Sequence, residues 1–243
     1  MVEIASGRNN YGQFLGIIML KTSFTRIPGD IGNASTFDFP VRYKVIEEAT
    51  PIRVVDEADR ALLPHFIAAA RDLEAEGVRA TTTSCGFMAL FQNELANAVD
   101  IPVFTSSLLQ VPLACRMLRE GKRVGIVTGN SKALTEDHLG AVGITDSMPI
   151  AIVGMEHQED FTEAIGEHLK RPVDPKRIEK IMISVCRNLK KKENLGAIVF
   201  ECTNLSPYAK AVQDEVGLPV YDITTLCNYA YSVTFRSRFE GFL

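Results

Sequence analysis

Two cysteines carry the strongest chemical signal in this chain. Cys85 lies in TTTSCGF (81–87) and Cys202 in FECTNLSPY (200–208), each at the end of a short apolar run and the start of a helix-like pattern. The segments around them, 78–109 and 196–226, align as an internal repeat. Cys202 follows Cys85 by 117 residues, and Pro219 follows Pro102 by the same 117. A second echo pairs FLGIIML (14–20) with RVGIVTG (123–129), 109 residues on. One thiol at a strand end arises easily by chance; two at matching places of a duplicated unit point to a paired task.

Inverting a stereocentre beside a carboxylate needs a base on one face and an acid on the other, and a thiolate facing a thiol supplies both. An ordinary thiol, with a pKa of about 8.5, is only ~3% ionised at pH 7. Lowering that pKa to about 7 would ionise roughly half of it. Both cysteines stand where a helix N-terminus would supply the required positive potential. Around them Thr83, Ser84, Gly86, Thr203 and Asn204 offer hydroxyls, an amide and backbone N–H groups for a substrate carboxylate and its enolate-like intermediate.

The elements that must position these residues read as alternating strands and helices. Val/Ile-rich runs at 14–20, 79–83, 103–105, 123–128, 150–153, 197–200 and 219–221 have the length of buried strands. Helical stripes fill 59–76, 87–98, 109–119, 160–169, 175–192 and 207–216, with Gly77 as a stop and Pro175 and Pro207 as first helical residues behind Asp174 and Ser206. The pattern predicts an α/β protein of two similar parallel-sheet domains related by a pseudo-twofold axis, with the site in the cleft between them. The first domain is expected over 1–120 plus 221–243, the last strand and the C-terminal segment returning to it, and the second over 121–220.

TTTSCGF and FECTNLSPY, one per half at matching strand ends, resemble the two cysteine motifs of the aspartate/glutamate racemase superfamily. Its relatives include hydantoin racemases, maleate isomerases and arylmalonate decarboxylases. PGDIGN (28–33) resembles a substrate-loop motif of one of its subgroups. The resemblance covers about 16–226. It implies two α/β domains, an active site between them, no pyridoxal phosphate and no metal. It implies Cys85 and Cys202 as the catalytic acid–base pair, with substrate-carboxylate contacts from Ser84, Gly86, Thr203 and the loop of Thr128, Gly129 and Asn130. The substrate-loop likeness adds Pro28, Gly29, Asp30 and Asn33, and Thr83 and Asn204 are candidates from their places beside the cysteines. Glutamate racemases usually have a histidine two residues after the second cysteine and Asp-Ser-Gly after the first strand. Asn204 and LKTSFTRIPGD (20–30) stand there instead, which points away from glutamate itself. The expected activity is racemisation of an aspartate-like acid. Hydantoin racemisation and maleate isomerisation on the same fold are alternatives, and a small-molecule binding protein is the non-enzymatic one.

Composition narrows the remaining classes. A net charge of −4 lacks the basic excess of a nucleic-acid-binding surface, and no apolar run reaches the roughly 18 residues that span a bilayer. The N-terminus is polar, and five widely spaced cysteines argue against a disulfide framework. A cytoplasmic protein is therefore expected. A small acidic substrate and a homo-oligomer, a dimer or larger, are the expected partners. Cys115, Cys186 and Cys227 read as packing residues. His65, His138, His157 and His168 have no metal-site spacing, and there is no GxSxG nucleophile motif.

Overall fold

The computed structural model describes residue 7 and residues 11–165 and 172–242. The first half contains β1 (Leu15–Leu20), β2 (Val41–Ile46), α1 (Leu63–Glu76), β3 (Ala80–Thr83), α2 (Gln92–Ala96), β4 (Val103–Phe104) and α3 (Val111–Met117). The second contains β5 (Arg123–Thr128), α4 (Glu136–Ala141), β6 (Ile150–Gly154), α5 (Glu159–Ile165), α6 (Pro175–Lys192), β7 (Leu195–Phe200), α7 (Ala209–Val216), β8 (Val220–Tyr221) and α8 (Ile223–Thr234). The strands form two parallel four-stranded sheets of identical order, β2-β1-β3-β4 and β6-β5-β7-β8. The repeat extends to single hydrogen bonds. Thr81 N–H donates to Pro102 O and Ile198 N–H to Pro219 O, both at 2.9 Å.

Glycines in the central strands set how closely a helix packs on each sheet. A Cβ on Gly16 of β1 would stand 2.9 Å from the Leu73 side chain of α1. Its repeat counterpart, Gly125 of β5, would put one 3.0 Å from Leu189 of α6. The opposite faces are covered crosswise. Val111 and Ala114 of α3 share a core with Val124 and Ile126 of β5. Ile223, Leu226 and Cys227 of α8 pack with Leu15, Ile17 and Phe104 of the first sheet. Each half thus lends its last helix to the other. Gln110 ties the exchange by donating to Asp222 O at 2.8 Å and accepting from the Thr225 hydroxyl at 2.9 Å.

Most expected elements are present, with instructive differences. The last strand stays with the second sheet, pairing Ile198 with Val220, so only α8 crosses back to the first. The sequence pattern does not reveal β2, because its residues are mostly half-exposed at a sheet edge and VRYKVI lacks a buried apolar run. The segments after Cys85 and Cys202 open as 3₁₀ turns, Gly86–Phe91 and Thr203–Tyr208, before α2 and α7 begin. Pro207 therefore sits inside a 3₁₀ turn, and the buried Ser206 hydroxyl has no hydrogen-bond partner among the described residues rather than capping a helix. Asp174 does cap α6, accepting from Arg177 N–H, and Gly77 ends α1 at φ +97°. Of the stripe at 160–169, residues 166–169 lie outside the described residues.

Gly16→Val and Gly125→Val should each destabilise the protein by about 1–3 kcal/mol through overpacking. Urea denaturation should give costs of similar size for the two, because the contacts are repeats of one another. A large cost at only one position would contradict equivalent packing.

Candidate functional site

Both cysteines stand just beyond the carboxyl ends of their strands. Ser84 N–H donates to Ile18 O, and Glu201 N–H donates to Val127 O, which extends each ladder one residue past β3 and β7. The two strand ends then meet. The buried Thr203 hydroxyl donates to Ser84 O at 2.7 Å. In the counterpart contact, a Cβ on Gly86 would lie 2.2 Å from both Glu201 O and Glu201 Oε1. The residue after each cysteine therefore packs against the residue before the other, as a twofold relation requires, and only glycine leaves room for Glu201. Ser107 adds a bond from its hydroxyl to Phe200 O.

A cavity of about 530 Å³ opens where the halves meet and is lined by both Cys85 and Cys202. Ser84, Gly86, Gly129, Asn130, Thr203 and Asn204 line it too. Thr83 and Thr128 stand behind the wall. The single Thr83 hydroxyl proton is shared between Thr105 O at 2.7 Å and Cys85 O at 2.9 Å, and Thr128 donates to Glu201 Oε2 at 2.6 Å. Pro28, Gly29, Asp30 and Asn33 are not among the lining residues. Their loop supports the wall instead. Gly29, at φ +96°, lies against Pro207, and Asp30 accepts from both Arg26 and Asn204.

The cavity also contains residues the sequence had not singled out. Arg26 lines it, its guanidinium 4.6 Å above the Phe24 ring and 2.7 Å from Asp30 Oδ1. The spacing of Arg26 and Asp30 across a proline turn was the one available hint. Phe24, Phe87 and Phe161 supply aromatic surface, and Asp56, Glu156 and Glu163 add carboxylates. Glu201 is wholly buried, accepts from Thr128, and keeps Oε1 without a hydrogen-bond partner among the described residues. Ser84 holds the corresponding place in the first half, its hydroxyl accepting from Leu20 N–H at 3.0 Å.

Electrostatics depart from the sequence expectation. Burial pushes the Cys85 thiol up to about 12, and the nearby Glu201 charge adds to it. The backbone N–H groups of Phe87 and Met88, together with Arg26, pull the other way and do not prevail. Burial, with Glu201, Cys85 and Asp30, likewise raises Cys202 well above its ordinary value against one N–H from Asn204. The turn amides are there as expected, but desolvation outweighs them, so the free protein presents two thiols rather than a ready thiolate. Burial also raises Glu201 to about 7, opposed by the Thr128 hydroxyl and Gly129 N–H.

Cys186 and Cys227 are buried in separate apolar clusters and Cys115 packs against a third. Among the described residues, no group of His, Cys, Asp or Glu is arranged to hold a metal ion, and no helix is long and apolar enough to cross a membrane.

Comparison with known proteins places this geometry in context. Residues 43–227 match the family model described as Asp/Glu/Hydantoin racemase. The chain is 31% identical over 222 residues to dimethylsulfoniopropionate lyase 7 of Emiliania huxleyi (strain CCMP1516), with 88% of this chain and 65% of that protein covered. It spans only 58% of lyase 3 from the same organism, at 30% identity. Among solved structures it resembles allantoin racemase from Klebsiella pneumoniae, with TM-score 0.62 and 17% identity, over 91% of this chain and 87% of that one. It also resembles Picrophilus torridus aspartate racemase, with TM-score 0.57 and 13% identity, over 92% and 94%. At these identities the likeness to solved structures is one of fold.

The raised pKa of Glu201 couples stability to pH. The unfolded carboxyl ionises near pH 4.5 while the folded one stays neutral until about 7. The unfolded state therefore releases a proton first, and stability falls as pH rises through that window, levelling off above it. Glu201→Gln should remove this slope. Urea denaturation below pH 4.5 and above pH 7 should show the wild type losing about 3 kcal/mol more than the variant across the window. Parallel pH profiles would mean that Glu201 ionises at its ordinary value in the folded protein.

Proposed function

This chain belongs to the Asp/Glu/hydantoin racemase family, a family of enzymes, and on that premise we propose that it removes the proton α to the carboxylate of a small acid, with Cys85 and Cys202 as the proton-moving pair. We propose further that the acid is a dimethylsulfonio carboxylate of the dimethylsulfoniopropionate type. The supporting observation is the cavity lining: two thiols share it with three phenylalanine rings, several carboxylates and, among the described residues, one cation, Arg26. One guanidinium suits one substrate carboxylate. Aromatic faces and carboxylates suit a cationic sulfonium group. A dicarboxylate with an ammonium group would leave its second carboxylate facing Asp56, Glu156 or Glu163. The similarity to dimethylsulfoniopropionate lyases agrees with this substrate, although the chain spans only about two thirds of that relative.

The chemistry follows from the charges. Arg26 and the N–H groups at the two strand ends hold the carboxylate and the negative charge that develops when its α-proton leaves. A thiolate on one half takes that proton and becomes a thiol. The electron pair left on the α-carbon forms a carbon–carbon double bond, and the bond from the β-carbon to sulfur breaks. Its pair leaves on sulfur, giving dimethyl sulfide and acrylate, and the thiol returns its proton to solvent. Because both thiols of the free protein are protonated near neutrality, the base forms only after a proton leaves the site. Enclosure of the substrate's positive charge favours that step.

A second reading, racemisation of an acidic amino acid such as aspartate, is favoured by the presence of a thiol on each half. A substrate that only loses its α-proton needs one thiol; inversion needs both. Hydantoins and maleate remain the alternative substrates on this fold.

The test is a substrate panel in deuterated water, with dimethylsulfoniopropionate, aspartate, glutamate, hydantoins and maleate. Dimethyl sulfide release should appear with the sulfonium substrate, and substitution of at least one of Cys85 and Cys202 by Ala should reduce it by about 100-fold or more. Deuterium incorporation into aspartate with no sulfide release would replace the lyase reading with the racemase. Binding without exchange or release on any substrate would leave a binding protein.

A further inference from the structure

The loop at 28–33 reaches across the halves and fixes one thiol. Asn204 Nδ2 donates to Asp30 Oδ2 at 2.8 Å. Asp30 Oδ1 accepts from Arg26 at 2.7 Å and from Gly32 N–H at 2.7 Å. A carboxylate accepts only, so the Asn204 amide must present its NH₂ to Asp30 and turn its oxygen away. That oxygen accepts from Cys202 Sγ at 3.6 Å. Cys202 is therefore held as a hydrogen donor. Cys85 differs: two N–H groups, of Phe87 and Met88, face its sulfur against the one of Asn204 at Cys202, and the Arg26 charge lies near Cys85. Both sulfurs feel Glu201, whereas Asp30 bears on Cys202.

We propose that Asp30 is a positioning residue which, by setting the orientation of the Asn204 amide, keeps Cys202 as the protonated member of the pair and leaves Cys85 as the thiol that gives up its proton first to become the base. This rests on the reading of the two thiols as a proton-moving pair. The first half thereby controls the protonation of the thiol carried by the second. The repeat supplies no mirror device: the residue matching Asn204 is Phe87, and the one matching Asp30 in the echo of the first strand is Leu139, neither able to accept a thiol proton. The duplication gave two thiols, and this one-sided chain makes them unequal.

The test uses no substrate, so its outcome is separate from whether the sulfonium reading holds. Iodoacetamide labelling of the full chain across an alkaline pH series, read by peptide mass spectrometry, gives the rate at each cysteine. Asn204→Ala removes the acceptor while leaving the Arg26–Asp30 pair in place. It should speed Cys202 labelling by about fivefold or more at a fixed pH and leave Cys85 within about twofold. Asp30→Asn should accelerate Cys202 in the same direction, and the double variant should add less than about twofold to the faster single one. A general loosening would speed both thiols. Equal acceleration of Cys85 and Cys202, no change at Cys202 in Asn204→Ala, or fully additive effects would each overturn the assignment. Should Asp30→Asn fail to fold, the Asn204→Ala result alone decides the first two outcomes.

Discussion

The contact between two strand ends governs this molecule. Ser84 and Glu201 each sit one residue past a sheet, and Thr203 and Gly86 pack against them from the opposite half. Backbone groups this close cannot be separated by a side chain, so position 86 must lack one. Because the contact joins the residues flanking Cys85 and Cys202, it brings both sulfurs to one cavity without either needing a long side chain or a flexible loop. The exchanged helices α3 and α8 reinforce it by making each half part of the other's hydrophobic core. Separating the halves would expose apolar area on both sheets, and such area costs roughly 25 cal/mol per Å² to hydrate.

The same close packing dries the site and so sets its electrostatics. A sheltered thiol resists ionisation, and a sheltered carboxyl beside it does too. Glu201 and the two cysteines form one coupled group in which a negative charge on any member disfavours another. The turn amides and Arg26 are too few to offset this. A substrate that brings its own positive charge alters that balance, which is why the acidic and aromatic lining bears on the chemistry and not merely on affinity. Enclosure that makes the free thiols poor bases also strengthens every interaction with a developing enolate.

Duplication explains the pairing, and divergence explains why the halves are not interchangeable. Ser84 corresponds to Glu201, Gly86 to Thr203 and Phe87 to Asn204. Each pair keeps the backbone position and changes the chemistry. The loop at 28–33, which the resemblance implied would touch substrate, holds up Arg26 and Asn204 from behind. Its effect on the cavity is exerted through those two side chains.

The sequence by itself determined the two parallel sheets, the repeat, the strand-end location of both cysteines and the boundaries of long helices such as α6. Apolar periodicity, capping residues and fixed offsets are local properties that survive in one dimension. It missed β2, because an edge strand carries no continuous apolar run, and it missed the 3₁₀ character of the turns after the cysteines, because Thr203–Tyr208 and a first α-helical turn share the same residue types. The tertiary structure alone decided that α8 crosses back while β8 does not. It also decided that Glu201 lies buried against Gly86, that Arg26 enters the cavity, and that both thiols are harder to ionise than their helix-start positions suggested. Each of these depends on what packs around a group from distant parts of the chain, and desolvation and close approach are set by those neighbours rather than by the residues next along the sequence.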